Sequence, residues 1–169
     1  MADADDGTYV RLPEIEDVVR ICRSLNEAGA RYLLIGGFAV IAHGLGRTTK
    51  DIDFLVDDAP ENVARVKAGL DVLADRVARE IDDGDIRRYT VVRVADEVLV
   101  DLLGRACGVT YAEAAADAET LELQGVGIPL VSKRTLIRTK DTVRPSDRAD
   151  RQVLEALLRS SEEGGPGRT

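Results

Sequence analysis

The sequence predicts an α/β protein with one mixed β-sheet, helices on the faces of the sheet and further helices at the C-terminus. Short apolar runs alternate along the chain with longer stretches of helical periodicity, the pattern of strands and helices that pack together. Two valine-rich runs close together in the sequence predict a β-hairpin within this sheet. The length of 169 residues is that of one domain with a sizeable core.

The first part of the chain predicts helices and strands in alternation. A proline at the first turn and a glycine at the end favour an amphipathic helix between Pro13 and Gly29. Gly36 and Gly37 then separate a short apolar strand from a short helix. The elements predicted here are the first helix, a strand over 32–35, a helix over 38–43, a strand over 51–56 and a long helix from Pro60 to Ile81.

The second part predicts mostly strands, followed by two helices. Valine-rich runs indicate a hairpin, Ser132 can cap one helix, and Pro145 can open the last one. The elements predicted here are a hairpin of residues 87–94 and 98–103, a helical or irregular stretch over 111–117, strands over 120–124 and 128–131, a helix from 132 toward 144, and a helix from 145 through 158. Residues 1–160 would form the domain, and the glycine-rich residues 161–169 a disordered tail.

Composition excludes several classes of protein. The formal net charge of -8 argues against a protein whose whole surface coats nucleic acid. Residues 132–151 nevertheless hold seven basic and three acidic residues, which indicates either a basic element on an acidic body or a solvated helix face. No apolar run is long enough to span a membrane and the N-terminus lacks the apolar core of a secretory signal, so we expect a cytoplasmic protein with no membrane partner.

The cysteines and the single histidine suggest structural roles. Cys22 and Cys107 lie far apart and form no metal-binding pattern, so both are predicted to be reduced residues of the core. His43 is the only histidine, which excludes a centre built on several imidazoles. A partly buried or helix-terminal position is the favoured interpretation of His43.

Three aspartates are the strongest candidates for chemistry. Asp51 and Asp53 are two residues apart on a predicted strand, so both carboxylates emerge on the same face. Converging carboxylates repel each other unless a cation neutralises them, and Mg²⁺ is commonly held in this way. Asp101 lies within an apolar strand, where a carboxylate needs either a cation or several donors. The alternatives are an exposed strand end for the Asp-x-Asp pair and a structural aspartate for Asp101.

Gly36 and Gly37 are candidates for phosphate binding. They lie between a predicted strand and a predicted helix, where glycine lets the backbone approach a ligand and free N–H groups can bind phosphate. A simple turn is the alternative.

Together these residues resemble the DNA polymerase β-like nucleotidyltransferase superfamily. Its signature is an apolar strand, Gly-Gly or Gly-Ser, a spacer, Asp-x-Asp or Asp-x-Glu, and a later carboxylate between hydrophobic residues. Here 13 residues separate Gly37 from Asp51, and Asp101 stands in the later position. Arg47 and Thr49 complete an Arg-x-Thr-x-Asp-x-Asp form that is similar to small bacterial members, which include toxins of abortive-infection and toxin-antitoxin systems.

The resemblance implies the nucleotidyltransferase fold and the transfer of a nucleoside monophosphate from an NTP to an acceptor hydroxyl, with release of pyrophosphate. It implies two Mg²⁺ or Mn²⁺ ions on Asp51, Asp53 and Asp101, with Asp101 also helping to activate the acceptor hydroxyl. The nucleotide-binding residues that it implies are Gly36, Gly37, Arg47, Thr49, Lys140, Arg144 and Asp147. If Lys140 and Arg144 lie one helical turn apart, both could face a triphosphate, or they could pair with Asp147 instead.

Two hypotheses of function remain open at the level of sequence. The first is an enzyme whose acceptor is an RNA or tRNA end, a protein or a small molecule, and which could be the toxin of a toxin-antitoxin pair with a cognate antitoxin or regulator as partner. The second is a non-catalytic nucleotide-binding or partner-binding domain of the same fold.

Overall fold

The computed structural model describes residues 10–163, which form a six-stranded mixed sheet, a small separate hairpin and seven α-helices. The helices are α1 (Ile15–Glu27), α2 (Gly36–Ala42), α3 (Pro60–Leu70), α4 (Asp85–Arg88), α5 (Tyr111–Ala115), α6 (Lys133–Thr139) and α7 (Pro145–Glu163). The strands are β1 (Tyr32–Ile35), β2 (Asp51–Val56), β3 (Val92–Ala95), β4 (Leu99–Leu103), β5 (Arg105–Ala106), β6 (Val109–Thr110), β7 (Glu119–Leu123) and β8 (Val126–Leu130). The predicted α/β class is confirmed.

The order of strands in the main sheet is β3-β4-β2-β1-β8-β7. β1 pairs antiparallel with β2 and parallel with β8, while β2 pairs parallel with β4. The two outer pairs, β3 with β4 and β7 with β8, are antiparallel hairpins. The sheet is therefore mixed, and its parallel β2-β4 pair brings together two strands that are far apart in sequence.

The core lies between this sheet and the helices on its faces. All four residues of β1 are buried, and the ring of Tyr32 packs edge-on against that of Phe54 with centroids 5.4 Å apart. α1 buries its apolar face, and it approaches α3 so closely that a Cβ at Gly69 would lie 2.7 Å from Leu25 Cδ2. Burial of these apolar residues is the main stabilising contribution to the fold.

The predicted long helix after Pro60 ends much earlier than Ile81. α3 ends at Leu70, and the chain then forms turns and a 3₁₀ helix over Val77–Glu80. The buried carboxylate of Asp96 accepts hydrogen bonds from the backbone N–H groups of Asp75 and Val77, at 2.9 Å each. The apolar side chains of the predicted helix still pack against the core, but hydrogen bonds to Asp96, which is distant in sequence, fix the backbone in turns.

The predicted hairpin is confirmed in its centre and wrong at its start. β3 and β4 pair antiparallel, but Arg87 and Arg88 belong to the short helix α4 instead of the strand. The β5-β6 hairpin was not expected, and its turn places Cys107 and Gly108 at positive φ angles of 47° and 81°. Cys107 is exposed, so its predicted core position is wrong, whereas Cys22 is buried as predicted.

The segment after Ser132 also differs from the prediction. Ser132 does cap a helix, since its hydroxyl accepts a hydrogen bond from the Thr135 N–H, but α6 ends at Thr139. Residues 140–144 form a loop, so Lys140 and Arg144 are not one helical turn apart. α7 extends to Glu163, past the predicted start of the tail at residue 161, and residues 164–169 lie outside the described residues.

None of the helices between residues 10 and 163 combines the length and the apolar character needed to cross a membrane.

Candidate active site

The parallel pairing of β2 with β4 brings the three predicted aspartates together. Asp53 lies directly opposite Asp101 in the register of the two strands, and Asp51 precedes Asp53 on the same face. One carboxylate oxygen from each residue lies within 4.8 Å of the other two. Asp101 is buried and the other two are half-buried. These three residues are called the acidic triad below.

The electrostatics of the acidic triad are unfavourable without a cation. Burial, together with the nearby charges of Asp51 and Asp101, raises the pKa of Asp53 to about 8. A cation bound nearby would lower this pKa and favour the ionised carboxylate. The arrangement is therefore suited to a divalent cation, which prefers carboxylate oxygens as ligands.

Gly36 and Gly37 make room for the acidic triad. Gly36 has a φ of +69°, and a Cβ there would lie 2.8 Å from the Asp53 carboxyl carbon. A Cβ at Gly37 would lie 2.6 Å from Thr49 Oγ1, whose hydroxyl donates a hydrogen bond to the Asp51 carbonyl at 3.0 Å. The two glycines thus let the end of β1 lie directly against the segment that carries the aspartates.

Arg93 is a residue of the site that sequence reasoning missed. Its guanidinium donates hydrogen bonds to both carboxylate oxygens of Asp101, at 2.8 and 2.9 Å, and to Asp51 Oδ2 at 3.0 Å. Arg93 lies opposite Asp101 in the β3-β4 register. The sequence predicted this hairpin, but only the exact register of its two strands shows that Arg93 faces Asp101.

Basic residues of the opposite wall are paired with carboxylates of α7. The buried ammonium of Lys140 lies 3.3 Å from Asp147 Oδ1 and 3.0 Å from Asp150 Oδ2. Asp150 also accepts a hydrogen bond from the guanidinium of Arg47. The pairing of Lys140 with Asp147 is thus observed, and Asp150 adds a bridge to Arg47 that the sequence reasoning did not assign.

A cleft of about 860 Å³ connects the acidic triad with these basic residues. All ten predicted site residues line it, namely Gly36, Gly37, Arg47, Thr49, Asp51, Asp53, Asp101, Lys140, Arg144 and Asp147. Arg144 is exposed at the rim. The volume is typical of sites that bind small molecules.

His43 has a structural position. It caps the C-terminal end of α2, is half-buried, and its ring Nε2 lies 2.7 Å from the Val131 carbonyl oxygen. This contact ties the end of α2 to the segment after β8, in agreement with the helix-terminal interpretation.

The comparison with protein families decides the identity of the chain. The family model described as "Nucleotidyl transferase AbiEii toxin, Type IV TA system" matches residues 20–140. The chain belongs to this AbiEii family of nucleotidyltransferase toxins. The matched segment includes both glycines, the acidic triad and Lys140, whereas α7 with Asp147 and Asp150 follows it.

A solved structure supports the fold. A protein from Thermotoga maritima, provisionally described as a nucleotidyltransferase, superposes with a TM-score of 0.54 and is 15% identical in sequence. The alignment covers 90% of this chain and 98% of that chain. No curated protein matches the sequence. At this identity the likeness concerns the fold, and it agrees with the fold expected for an AbiEii-family nucleotidyltransferase.

The family assignment confirms the resemblance inferred from the sequence. The chain is a nucleotidyltransferase of a type IV toxin-antitoxin family.

Proposed function

We propose that this AbiEii-family protein transfers a nucleoside monophosphate from an NTP to an acceptor hydroxyl, with release of pyrophosphate, in the cleft beside the acidic triad. The observation that carries the proposal is the convergence of Asp51, Asp53 and Asp101, with carboxylate oxygens within 4.8 Å of one another. Three converging carboxylates on adjacent strands are suited to phosphoryl transfer, because they can hold divalent cations that neutralise the negative charge of the triphosphate.

The acidic triad fits divalent cations, and we propose two Mg²⁺ or Mn²⁺ ions. The donors are all carboxylate oxygens, and the pKa of Asp53 is raised first by burial and then by the negative charges of Asp51 and Asp101, which a cation would compensate. Asp51 and Asp53 would hold both ions, and Asp101 would contribute to one of them. When bound, such ions supply positive charge to the triphosphate and make a nearby hydroxyl more acidic.

The protein groups then have separate tasks in the reaction. The acceptor oxygen bonds to the α-phosphorus of the NTP, the bond from that phosphorus to the bridging oxygen breaks, and pyrophosphate leaves. Asp101 would help to remove the proton of the acceptor hydroxyl. Gly36 and Gly37 would position the triphosphate through their backbone, which the close packing of the Asp53 and Thr49 side chains against the two glycines holds beside the acidic triad.

The remaining predicted residues belong to the nucleotide side of the cleft. Arg47, Lys140 and Arg144 would neutralise phosphate charge, and Thr49 and Asp147 would shape the same wall. Because Lys140 and Arg47 share Asp150, triphosphate binding would compete with that carboxylate for both cations. The acceptor can be an RNA or tRNA end, a protein or a small molecule, and a cognate antitoxin is the expected partner, as the family description implies.

Transfer of radiolabel from α-labelled NTPs to RNA, protein and small-molecule acceptors, in Mg²⁺ and in Mn²⁺, tests the proposal. The wild-type protein should label one acceptor class, and Asp53→Asn should abolish labelling because the acidic triad loses a cation ligand. Asp83→Asn, which removes an exposed carboxylate outside the cleft, is the matched control and should stay active. Labelling by Asp53→Asn at the wild-type rate would overturn the proposal.

A further inference from the structure

Arg93 spans two of the three carboxylates of the acidic triad. Its Nε and one terminal nitrogen bind the two oxygens of Asp101, and the same terminal nitrogen reaches Asp51. The Arg93 side chain is 52% exposed, whereas that of Asp101 is 8% exposed. The arginine therefore reaches from the surface of the edge strand β3 onto a buried carboxylate.

The geometry of this contact is specific to arginine. A planar guanidinium that binds both oxygens of a carboxylate fixes the rotation of the carboxylate plane, whereas an ammonium group binds as a point charge. The β3-β4 register places Arg93 directly opposite Asp101, so the contact is set by the pairing of the two strands. The contact with Asp51 extends the same restraint to β2.

The charge of Arg93 acts on the same groups. It offsets part of the repulsion among the three carboxylates through its ion pairs with Asp51 and Asp101, and a guanidinium stays protonated at every physiological pH. A divalent cation bound by the same carboxylates would lie close to this fixed positive charge. Arg93 would therefore have two opposing effects on the cation site. Its hydrogen bonds would hold the carboxylates in fixed orientations, and its charge would repel the cation.

We propose that Arg93 is a positioning residue that orients Asp101 and Asp51 for transfer while lowering the affinity of the acidic triad for divalent cations. The inference rests on the proposed function, since it assigns the cation site to the same carboxylates. The side chain has a free edge toward solvent but makes its contacts with the aspartates. Its effect on the reaction thus passes through Asp101 and Asp51.

The two effects can be separated by changing the charge and the shape of residue 93 independently. Arg93→Gln removes the charge and the bidentate contact, whereas Arg93→Lys keeps the charge and loses the bidentate geometry. Arg88→Gln is the matched control, because Arg88 is an exposed arginine that does not line the cleft. Mn²⁺ affinity is measured by electron paramagnetic resonance on the protein without NTP, and kcat, KM for NTP and Tm are measured in parallel.

We expect Arg93→Gln to bind Mn²⁺ about threefold to tenfold more tightly than the wild type, because a positive charge next to the cation is removed. Its kcat should fall about 10- to 100-fold through loss of orientation, with KM for NTP changed by less than about threefold. Arg93→Lys should keep the wild-type Mn²⁺ affinity and still show a reduced kcat. Arg88→Gln should match the wild type in all four measurements.

Unchanged or weaker Mn²⁺ binding by Arg93→Gln would overturn the proposal, as would a wild-type kcat in Arg93→Lys. A purely structural role would lower Tm without tightening Mn²⁺ binding.

If Arg93→Gln does not fold, the kcat and Mn²⁺ affinity of Arg93→Lys decide. If the wild type binds Mn²⁺ but transfers no nucleotide, the proposed function fails and the Mn²⁺ affinity of Arg93→Gln still decides the role of Arg93. A wild type that binds no Mn²⁺ would overturn both.

Discussion

At the scale of one residue, Gly36 shows why a glycine is needed where the chain packs against the aspartates. Its φ of +69° is a conformation that L-amino acids with a side chain adopt at a cost, and its Cα lies against the Asp53 side chain. The sequence indicated that glycine allows close approach at this turn, but it could not show that the neighbour is Asp53 itself. A glycine expected to face phosphate thus also packs against a carboxylate of the acidic triad.

Replacement of Gly36 by alanine should therefore remove activity. The added Cβ would lie 2.9 Å from Asp53 Cβ, so Asp53 must shift, and the φ adds a further cost of about 1 kcal/mol. We expect nucleotidyl transfer to fall at least about 100-fold, in line with the effect of misplaced catalytic groups, and Tm to fall as well. Gly84→Ala is the control, because nothing lies within 4 Å of its Cβ position and its φ is -92°. A fully active Gly36→Ala protein would show that the close packing against Asp53 does not matter.

Lys140 is a second single residue to consider, because its contacts could not be predicted from the sequence. The predicted helix from Ser132 would have placed it one turn from Arg144, but α6 ends at Thr139 and Lys140 is buried between two carboxylates of α7. Asp147 and Asp150 are three residues apart on α7, so the spacing itself predicts that they share a face of that helix. What the sequence lacks is the position of that face relative to Lys140.

Lys140→Gln should weaken NTP binding, because a cation on the wall of the cleft is lost and two carboxylates are left without it. We expect the Kd for NTP, measured by calorimetry with Mg²⁺, to rise at least about tenfold, the scale of one charge-assisted contact. Stability should fall as well, since an uncompensated charge is left in a partly buried pair. Lys133→Gln is the matched control and should bind NTP like the wild type. Equal NTP affinity in the two variants would remove Lys140 from the nucleotide site.

At the scale of elements, the N-terminus of α1 is tied down by a carboxylate. Asp17, in the first turn, accepts a hydrogen bond from the Glu14 N–H at 2.7 Å and binds Arg11 and Arg20. The hydrogen bond from the Arg11 guanidinium is the main reason that the pKa of Asp17 is lowered to about 2. The folded state therefore favours ionised Asp17 more strongly than the unfolded state does.

This shift predicts how stability depends on pH. A lowered pKa in the folded state adds stability that is present above the unfolded value, near 3.8, and is lost as the pH falls through about 2. Asp17→Asn should lower the free energy of unfolding by about 1 kcal/mol at pH 7, after allowance for the exposed arginine partners. In urea denaturation between pH 7 and pH 2, the difference from the wild type should shrink below pH 4. Glu16→Gln, an exposed change in the same turn, should differ from the wild type by the same free energy of unfolding at every pH. If the difference for Asp17→Asn is also constant with pH, the lowered pKa of Asp17 does not contribute to stability.

The elements of the sheet show what the sequence could and could not predict. Local apolar runs predict β1, β2, β4 and β8, because strands of a sheet covered by helices are rich in apolar residues, even where β2 and β4 also carry aspartates. The end of α3 could not be predicted, because it depends on hydrogen bonds from Asp75 and Val77 to Asp96, a residue much later in the chain. The periodicity of apolar residues along the chain carries no information about hydrogen bonds to residues that are distant in sequence.

At the scale of the whole molecule, the order of the strands in the main sheet brings the residues of the site together. The order β3-β4-β2-β1 places Arg93, Asp101, the Asp51 and Asp53 pair and the glycines on four adjacent strands and their ends. The family resemblance identified the aspartates and the glycines from their spacing alone. The basic wall opposite them requires the packing of α7 on α6, which spacing does not encode.

The charge distribution of the whole molecule agrees with this arrangement. The net charge of -8 argues against a surface that coats nucleic acid, yet the basic residues of segment 132–151 include two that line the cleft, Lys140 and Arg144. The acidic triad and these two basic residues therefore line the same cleft. A triphosphate bound with cations is complementary to both groups.

Whether the acidic triad holds the cations of the reaction is tested by a crystal structure of the protein with a non-hydrolysable NTP and Mn²⁺, with the metal located by anomalous diffraction. We expect anomalous peaks within coordination distance of Asp51, Asp53 and Asp101, and a triphosphate that extends past Gly36 and Gly37 toward Lys140. Nucleotide and Mn²⁺ bound away from the acidic triad, or no anomalous peak at the triad in nucleotide-bound crystals, would contradict this expectation.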